Sequence, residues 1–141
     1  MRAFRHFQVG LKACLVSRGA LLLVRERIGG LWELPGGRIE EGEEGLDAEV
    51  VLRRELAEEL GEGAAFRLGP PALAWVRPLE VGPVFLVAFR GAWTGGTIRL
   101  SDEHDAWAWV DEAACAALPL APGYADALAR FWRAERAVPQ G

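Results

Sequence analysis

The pattern of apolar and polar residues predicts short strands on both sides of a central helix. Apolar stretches at residues 7–16 and 20–25 are of strand length, and residues 31–34 form a shorter extended piece before Pro35. Four later segments continue the pattern: strands at 72–76, 84–89, 97–100 and 106–110, with a turn at 92–96 between the second and third.

The helices are predicted from caps and from apolar residues at helical spacing. Asp47 is a suitable N-cap and Gly61 a suitable residue just past the C-terminus, with Leu52, Leu56 and Leu60 forming an apolar stripe between them. A short helix is expected from the cap Asp111 through Ala117, and a C-terminal helix over residues 122–136, with Tyr124, Leu128, Phe131 and Trp132 as its stripe. This order predicts an α/β (α+β) sandwich with a mixed sheet.

Composition narrows the class of protein. The 141 residues, 51% of them hydrophobic, are enough for one core, so residues 1–141 are expected to form a single domain. A net charge of −4 with scattered arginines argues against a nucleic-acid partner, and no apolar run is long enough to span a membrane. Cys14 and Cys115 lack metal-site spacing, which predicts a reduced cytoplasmic protein with two buried thiols.

Three glutamates of the central helix carry the main chemical signal. Glu55, Glu58 and Glu59 are spaced i, i+3 and i+4, so they share one helical face. Like charges at this spacing repel by roughly 0.2–0.5 kcal/mol per pair on an isolated helix. A hard divalent cation bound by oxygens would remove that repulsion. The alternative is a solvated helix face on which Arg54 and Glu58 form an ordinary surface pair.

The surrounding residues name a family. Gly37, five residues, Glu43, and then Arg54-Glu55-Leu56-x-Glu58-Glu59-x-Gly61 resemble the Nudix box of the Nudix hydrolases, with Pro35-Gly36 before it. Ten residues separate Glu43 from Arg54 where the family usually has seven, so we expect a three-residue insertion in the connection before the helix. Glu62 also stands where an apolar residue is usual.

The resemblance implies a fold, a cofactor and roles for the box residues. It implies an α/β/α sandwich that hydrolyses a phosphoanhydride with Mg²⁺, or with Mn²⁺ in its place. Glu55, Glu58, Glu59 and the carbonyl of Gly36 would be the metal ligands, and Arg54 would orient the carboxylates. Gly37, which has no Cβ, would let a diphosphate approach the backbone.

A second segment, Ser101-Asp102-Glu103-His104 followed by Trp107 and Trp109, is similar to the stretch after the box in several Nudix enzymes. Among them are dinucleoside tetraphosphate hydrolases and some nucleoside triphosphate pyrophosphohydrolases. The similarity implies that Glu103 approaches the metals as a ligand or general base, and His104 beside it is a candidate for contact with phosphate. The alternatives are a turn acid for Glu103 and a structural role for His104.

Other residues are candidates for substrate binding. Arg27 and Arg38 could hold a diphosphate bidentately, or serve only solubility. Trp32 could stack on a nucleobase, or belong to the core. Pro78, sixteen residues past Glu62, suggests an ADP-ribose substrate within the family, whereas the segment at Glu103 suggests dinucleoside polyphosphates or nucleoside triphosphates.

Together these features predict a Mg²⁺-dependent Nudix hydrolase. Its substrate would be a nucleoside diphosphate linked to another moiety: a nucleotide sugar, ADP-ribose, a dinucleoside polyphosphate or a nucleoside triphosphate. The alternative is a nucleotide-sensing module that has the fold and does not hydrolyse. The only partner expected is the small nucleotide, with no nucleic acid or membrane; homodimers are common in the family.

Overall fold

A mixed sheet lies between helices on its two faces. The structure, a computed structural model, describes residues 1–138. Their strands are β1 (Gln8–Ser17), β2 (Ala20–Glu26), β3 (Trp32–Glu33), β4 (Gly36–Arg38), β5 (Ala64–Val76), β6 (Val84–Gly96) and β7 (His104–Val110). Their α-helices are α1 (Ala48–Leu60), α2 (Glu112–Ala117) and α3 (Tyr124–Ala137), and a 3-10 turn covers Leu79–Val81.

The sheet runs in the order β3-β2-β1-β6-β5, with β4 also paired to β1 and β7 to β2. β1 and β6 are parallel along their length, and the other strand pairs are antiparallel. β1 therefore lies at the centre of the sheet. β4 pairs with β1 and is followed by the loop that leads to α1. The expected α+β sandwich with a mixed sheet is confirmed.

Alternating residues of the sheet feed two cores. Leu11, Ala13 and Leu15 of β1 pack on the side of α1 against Leu52 and Leu56. The other face packs against α3, whose stripe of Tyr124, Leu128, Phe131 and Trp132 is buried as predicted. Cys14 and Cys115 are buried free thiols of this second core. None of the helices within residues 1–138 is long and apolar enough to cross a membrane.

The caps that define α1 are as predicted. The side chain of Asp47 accepts a hydrogen bond from the backbone N–H of Glu49, 2.9 Å away, and Gly61 has the positive φ of 86° that ends the helix. The extra residues of the box lie in the loop over 39–47, before the first helical turn. The helix that carries the glutamates is therefore undisturbed by the insertion.

Two predictions between α1 and β7 are wrong. Residues 92–96 are not a turn, because β6 continues through them and pairs with the start of β5. Residues 97–100 are not a strand, because this segment covers the end of α1: the N–H of Arg99 donates to the carbonyl of Leu60 at 2.8 Å. The loop that follows the covered helix end brings Glu103 towards the glutamates.

Candidate active site

The glutamate face of α1 borders a cleft of about 540 Å³ at the end of β4. Glu55 and Glu59 are buried, with 9% and 4% exposure, and Glu58 is exposed. The backbone N–H of Gly36 donates to Oε1 of Glu59 at 3.1 Å, which links β4 to the helix. The predicted box residues that line the cleft are Gly36, Gly37, Glu55, Glu58 and Glu59.

Arg54 donates hydrogen bonds to three carboxylates beside this face. Its guanidinium contacts both oxygens of Glu43, at 2.6 and 2.7 Å, Oε1 of Glu55 at 2.8 Å, and Oε1 of Glu58 at 3.0 Å. Hydrogen bonds from Arg54 lower the pKa of the Glu43 carboxyl. Despite the insertion, Glu43 thus meets Arg54, and Arg54 restricts the rotamers of Glu55 and Glu58.

Each of the two glycines of β4 has another group in the space that a Cβ atom would occupy, and that group differs between Gly36 and Gly37. A Cβ on Gly36 would overlap the backbone of Leu11 in β1, and Gly36 also has a φ of 140°. A Cβ on Gly37 would overlap the carboxylate of Glu55. The space beside Gly37, which the sequence assigned to a diphosphate, is therefore filled by Glu55.

This difference gives a matched pair of variants. We expect Gly37→Ala to lower kcat at least tenfold with little loss of stability, because the flexible Glu55 side chain can move away but then leaves the cleft. Gly36→Ala should destabilise the fold itself, since backbone cannot move so cheaply. Urea unfolding and steady-state kinetics on both variants test this; equal stability losses would contradict it.

A buried polar chain lies beside the cleft, on the side of β1. Nζ of Lys12 is 3.2 Å from Oε1 of Glu33, and 3.4 Å from the carbonyl oxygen of Gly36. Oε2 of Glu33 is 3.1 Å from Nε2 of His104, and Nδ1 of His104 is 4.0 Å from Oε1 of Glu59. Sequence reasoning missed Lys12 and Glu33, although a lysine inside an apolar strand was a usable signal.

Burial and charge shift the pKa values of these groups in different directions. Burial raises the pKa of Glu59 to about 7, against the opposing effects of Lys12, the Gly36 N–H and His104. Burial also raises the pKa of Glu55, although Arg54 opposes it. For Glu33, Lys12 and His104 outweigh burial and lower the pKa. Hydrogen bonding to Glu33 and the charge of Glu59 outweigh burial at His104, whose pKa is raised.

The Glu59 pKa predicts how stability depends on pH. The folded state keeps the Glu59 carboxyl protonated up to about pH 7, and the unfolded state keeps it protonated only up to about pH 4.5. The free energy of unfolding should therefore fall as the pH rises from about 4.5 to about 7. Glu59→Gln should flatten that fall. Urea unfolding in EDTA from pH 5 to 7 is the measurement; parallel curves for the two proteins would contradict the assignment.

Two arginines lie at the same cleft as the glutamates. Arg38 and Arg77 both line the cleft, and burial together with the charge of Arg38 lowers the pKa of Arg77. Gly10, Val84 and Leu86 contribute apolar surface to the lining of the cleft. The cleft therefore combines carboxylates, guanidinium groups and some apolar surface.

Two predicted substrate residues lie elsewhere. Trp32 has only 9% exposure and packs in the core on the side of α3, so its ring face is not open for stacking. Arg27 lies in a neighbouring depression with His104, and its Nε donates to the carbonyl of Asp102 at 2.8 Å. Glu103 lines both the cleft and this depression.

The donor set fits a hard divalent cation. The carboxylates of Glu55, Glu58 and Glu59 and the carbonyl of Gly36 are oxygen donors on one cleft, which is the chemistry that Mg²⁺ prefers. The raised pKa values of Glu55 and Glu59 show that neighbouring cations do not fully compensate their charges. A cation held among these oxygens would supply the missing compensation.

Comparison with known proteins agrees with this geometry. A protein of Mycobacterium tuberculosis (strain CDC 1551 / Oshkosh) named "Putative 8-oxo-dGTP diphosphatase 2" is 37% identical over 103 residues, 70% of each chain. The crystal structure of the MutT protein from Methanosarcina mazei Go1 matches with a TM-score of 0.80 and 23% identity, over 96% of this chain and 99% of that one. The solution structure of the E. coli ORF135 protein matches with a TM-score of 0.76 and 25% identity, over 96% and 95%.

The family itself is shown by the chain's sequence as a whole. A family model described as the NUDIX domain matches residues 6–131, which include the box, the sheet and most of α3. The chain belongs to the Nudix hydrolase family, and it is a hydrolase of phosphorus-containing anhydrides.

Proposed function

We propose that this protein is a Mg²⁺-dependent hydrolase that cleaves the pyrophosphate linkage of a nucleoside diphosphate joined to another moiety. One observation carries the proposal: a single cleft is lined both by the oxygen ligands of α1 and β4 and by the guanidinium groups of Arg38 and Arg77. A diphosphate is an anion that suits such a lining, since its oxygens bind metal cations and also accept bidentate hydrogen bonds from guanidinium groups.

The substrate class stays at the level of a nucleotide. The candidates are a nucleotide sugar, ADP-ribose, a dinucleoside polyphosphate or a nucleoside triphosphate, and the name of the mycobacterial relative favours the triphosphates. The apolar surface that Gly10, Val84 and Leu86 contribute to the cleft suits a nucleobase or another flat apolar group. We place the reaction in the cytoplasm, within a single domain over residues 1–141.

Each residue of the cleft has a proposed role. Glu55, Glu58, Glu59 and the carbonyl of Gly36 would hold Mg²⁺, with Mn²⁺ as a substitute. A bound divalent cation neutralises charge on the phosphoryl oxygens and makes water more acidic.

The remaining side chains act on the substrate or on the glutamates. Arg38 and Arg77 would bind the diphosphate, and Arg54 would keep the carboxylates aimed at the cleft. The Glu103 carboxylate would approach the metals, either as a ligand or as the general base that accepts a proton from the attacking water. Arg27 stays a candidate for the far end of a long substrate, in the depression beside Glu103.

A nucleotide screen tests the proposal. Purified protein is incubated with ADP-ribose, diadenosine polyphosphates, nucleotide sugars, NADH, CoA, 8-oxo-dGTP and the standard nucleoside triphosphates, with Mg²⁺ and with Mn²⁺, and products are identified by mass. We expect turnover of at least one class, lost in Glu58→Gln and Glu59→Gln. Tight nucleotide binding without turnover would instead identify the non-hydrolysing, nucleotide-sensing module.

A further inference from the structure

We propose that Nδ1 of His104, together with the carboxylates of Glu59 and Glu103, forms a nitrogen-containing position for a divalent transition-metal ion. This position lies beside the oxygen-only set of Glu55, Glu58 and Gly36 and shares Glu59 with it. The proposal rests on the proposed function only in that Glu59 serves both sets and Glu103 has a role in both.

The first argument is the environment of the His104 ring. The side chain has 3% exposure, so its polar atoms are cut off from bulk water. Nδ1 has no hydrogen-bond partner within residues 1–138, and it lies 4.0 Å from Oε1 of Glu59. A buried ring nitrogen without a partner is costly, which indicates that a ligand completes it.

The second argument is what holds the other ring nitrogen. Nε2 lies 3.1 Å from Oε2 of Glu33, and Oε1 of Glu33 is held by Lys12 at 3.2 Å. A carboxylate kept anionic by a lysine accepts the Nε2–H, so in the neutral ring, the form that binds a metal, the lone pair lies on Nδ1. Histidines that bind metals are usually held in this way, with a carboxylate on the nitrogen that does not bind.

The third argument is the spacing of the ligand atoms. One atom from each of Glu59, Glu103 and His104 lies within 4.8 Å of the other two. Ligand atoms about 2.1 Å from a shared ion are roughly 3.0–3.5 Å apart, so the longest separation in the set has to contract by up to about 1.8 Å. Glu103 can provide that movement, because it is exposed and lies in a loop.

The donor types select the class of ion. Imidazole suits borderline transition metals, and carboxylates suit both these metals and Mg²⁺. A site with one imidazole and two carboxylates should therefore prefer Mn²⁺ or Zn²⁺ to Mg²⁺, whereas the oxygen-only set should accept Mg²⁺ readily.

Pulsed electron paramagnetic resonance of bound Mn²⁺ tests the position directly. The protein has two histidines, so His6→Gln, a change at an exposed residue, leaves His104 as the only one. His6→Gln protein is labelled with ¹⁵N-histidine and given less than one equivalent of Mn²⁺, without nucleotide. We expect a directly coordinated nitrogen whose coupling changes from ¹⁴N to ¹⁵N with the label.

Variants of the ring and of its partner extend the test. His104→Gln should lose the coupling, and Glu33→Gln should weaken Mn²⁺ binding about 10- to 100-fold in calorimetry, since it removes the carboxylate behind the ring. Circular dichroism shows whether either variant folds. The labelled His6→Gln spectrum decides the question even if both fail to fold.

The outcomes separate this inference from the proposed function. Bound Mn²⁺ without histidine coupling would overturn the inference, and would indicate that His104 donates Nδ1–H to Glu59 as a purely structural link. If such a protein still hydrolyses nucleotides with Mg²⁺, the proposed function stands alone. Histidine coupling in a protein that turns over no nucleotide would leave the metal position standing and overturn the proposed function.

Discussion

Replacing Glu55 by Gln is expected to lower kcat by about 10²- to 10³-fold and to leave the free energy of unfolding nearly unchanged. The loss corresponds to roughly 3–4 kcal/mol of transition-state stabilisation, the scale of removing one charged ligand from a metal that acts on phosphate. Stability should survive because burial already disfavours the charged form of Glu55, as its raised pKa shows, and Gln keeps its shape. Steady-state kinetics and urea unfolding on the same preparations measure both quantities.

Glu49→Gln is the matched control for this variant. Glu49 lies in the first turn of the same helix and is exposed, and within residues 1–138 the one ion pair of its side chain is with Arg53, at 3.9 Å. It should therefore leave both kcat and stability within error of the unchanged protein. Equal kcat values for Glu55→Gln and Glu49→Gln would contradict the assignment of Glu55 to the active site.

Replacing Glu33 by Ala is expected to cost about 3–5 kcal/mol of unfolding free energy, the largest effect on stability that we predict. Lys12 is 8% exposed and would keep its charge without its carboxylate partner, and His104 would lose its Nε2 contact. Thermal and urea unfolding measure the loss; for a chain of this size it lowers the melting temperature by roughly 6–20 °C.

A double variant separates charge burial from lost packing. Lys12→Met combined with Glu33→Gln removes both charges while keeping similar side-chain volumes. This pair should be more stable than Glu33→Ala alone, because no unpaired charge remains buried. If the double variant is the less stable of the two, the Lys12–Glu33 pair stabilises the fold in some way other than by neutralising each other's charge.

Local signals predicted α1 well. Its start depends on the side chain of Asp47 and its end on the positive φ of Gly61, both decided within a few residues of sequence. The spacing of Glu55, Glu58 and Glu59 on one face follows from helix geometry alone. For that reason the centre of the candidate site could be predicted before any tertiary contact was known.

Pairing between distant segments was harder to predict. The stretch that begins β5 contains Pro70 and Pro71, which argue against a strand, yet β5 lies at the edge of the sheet, where proline is tolerated. Gly95 and Gly96 suggest a turn, yet they pair with Ala65 and Ala64 of β5. In both cases the partner strand outweighs local preference.

The buried polar chain beside the cleft was also hard to predict, because it too depends on contacts between distant segments. Lys12 and Glu33 are 21 positions apart, and Glu33 and His104 are 71 apart, so only the arrangement of β1, β3 and β7 brings them into contact. At Trp32, tertiary packing overrides a signal from the local sequence. An aromatic residue near the box suggested base stacking, and the sheet turns its ring into the core instead.

Anomalous diffraction from a crystal soaked in Mn²⁺ tests the central claim most directly. The account predicts a peak within coordination distance of Glu55, Glu58 or Glu59 and of the Gly36 carbonyl, on the cleft side of α1. Well-ordered glutamate side chains with no peak between them, at an Mn²⁺ concentration that supports hydrolysis, would contradict it.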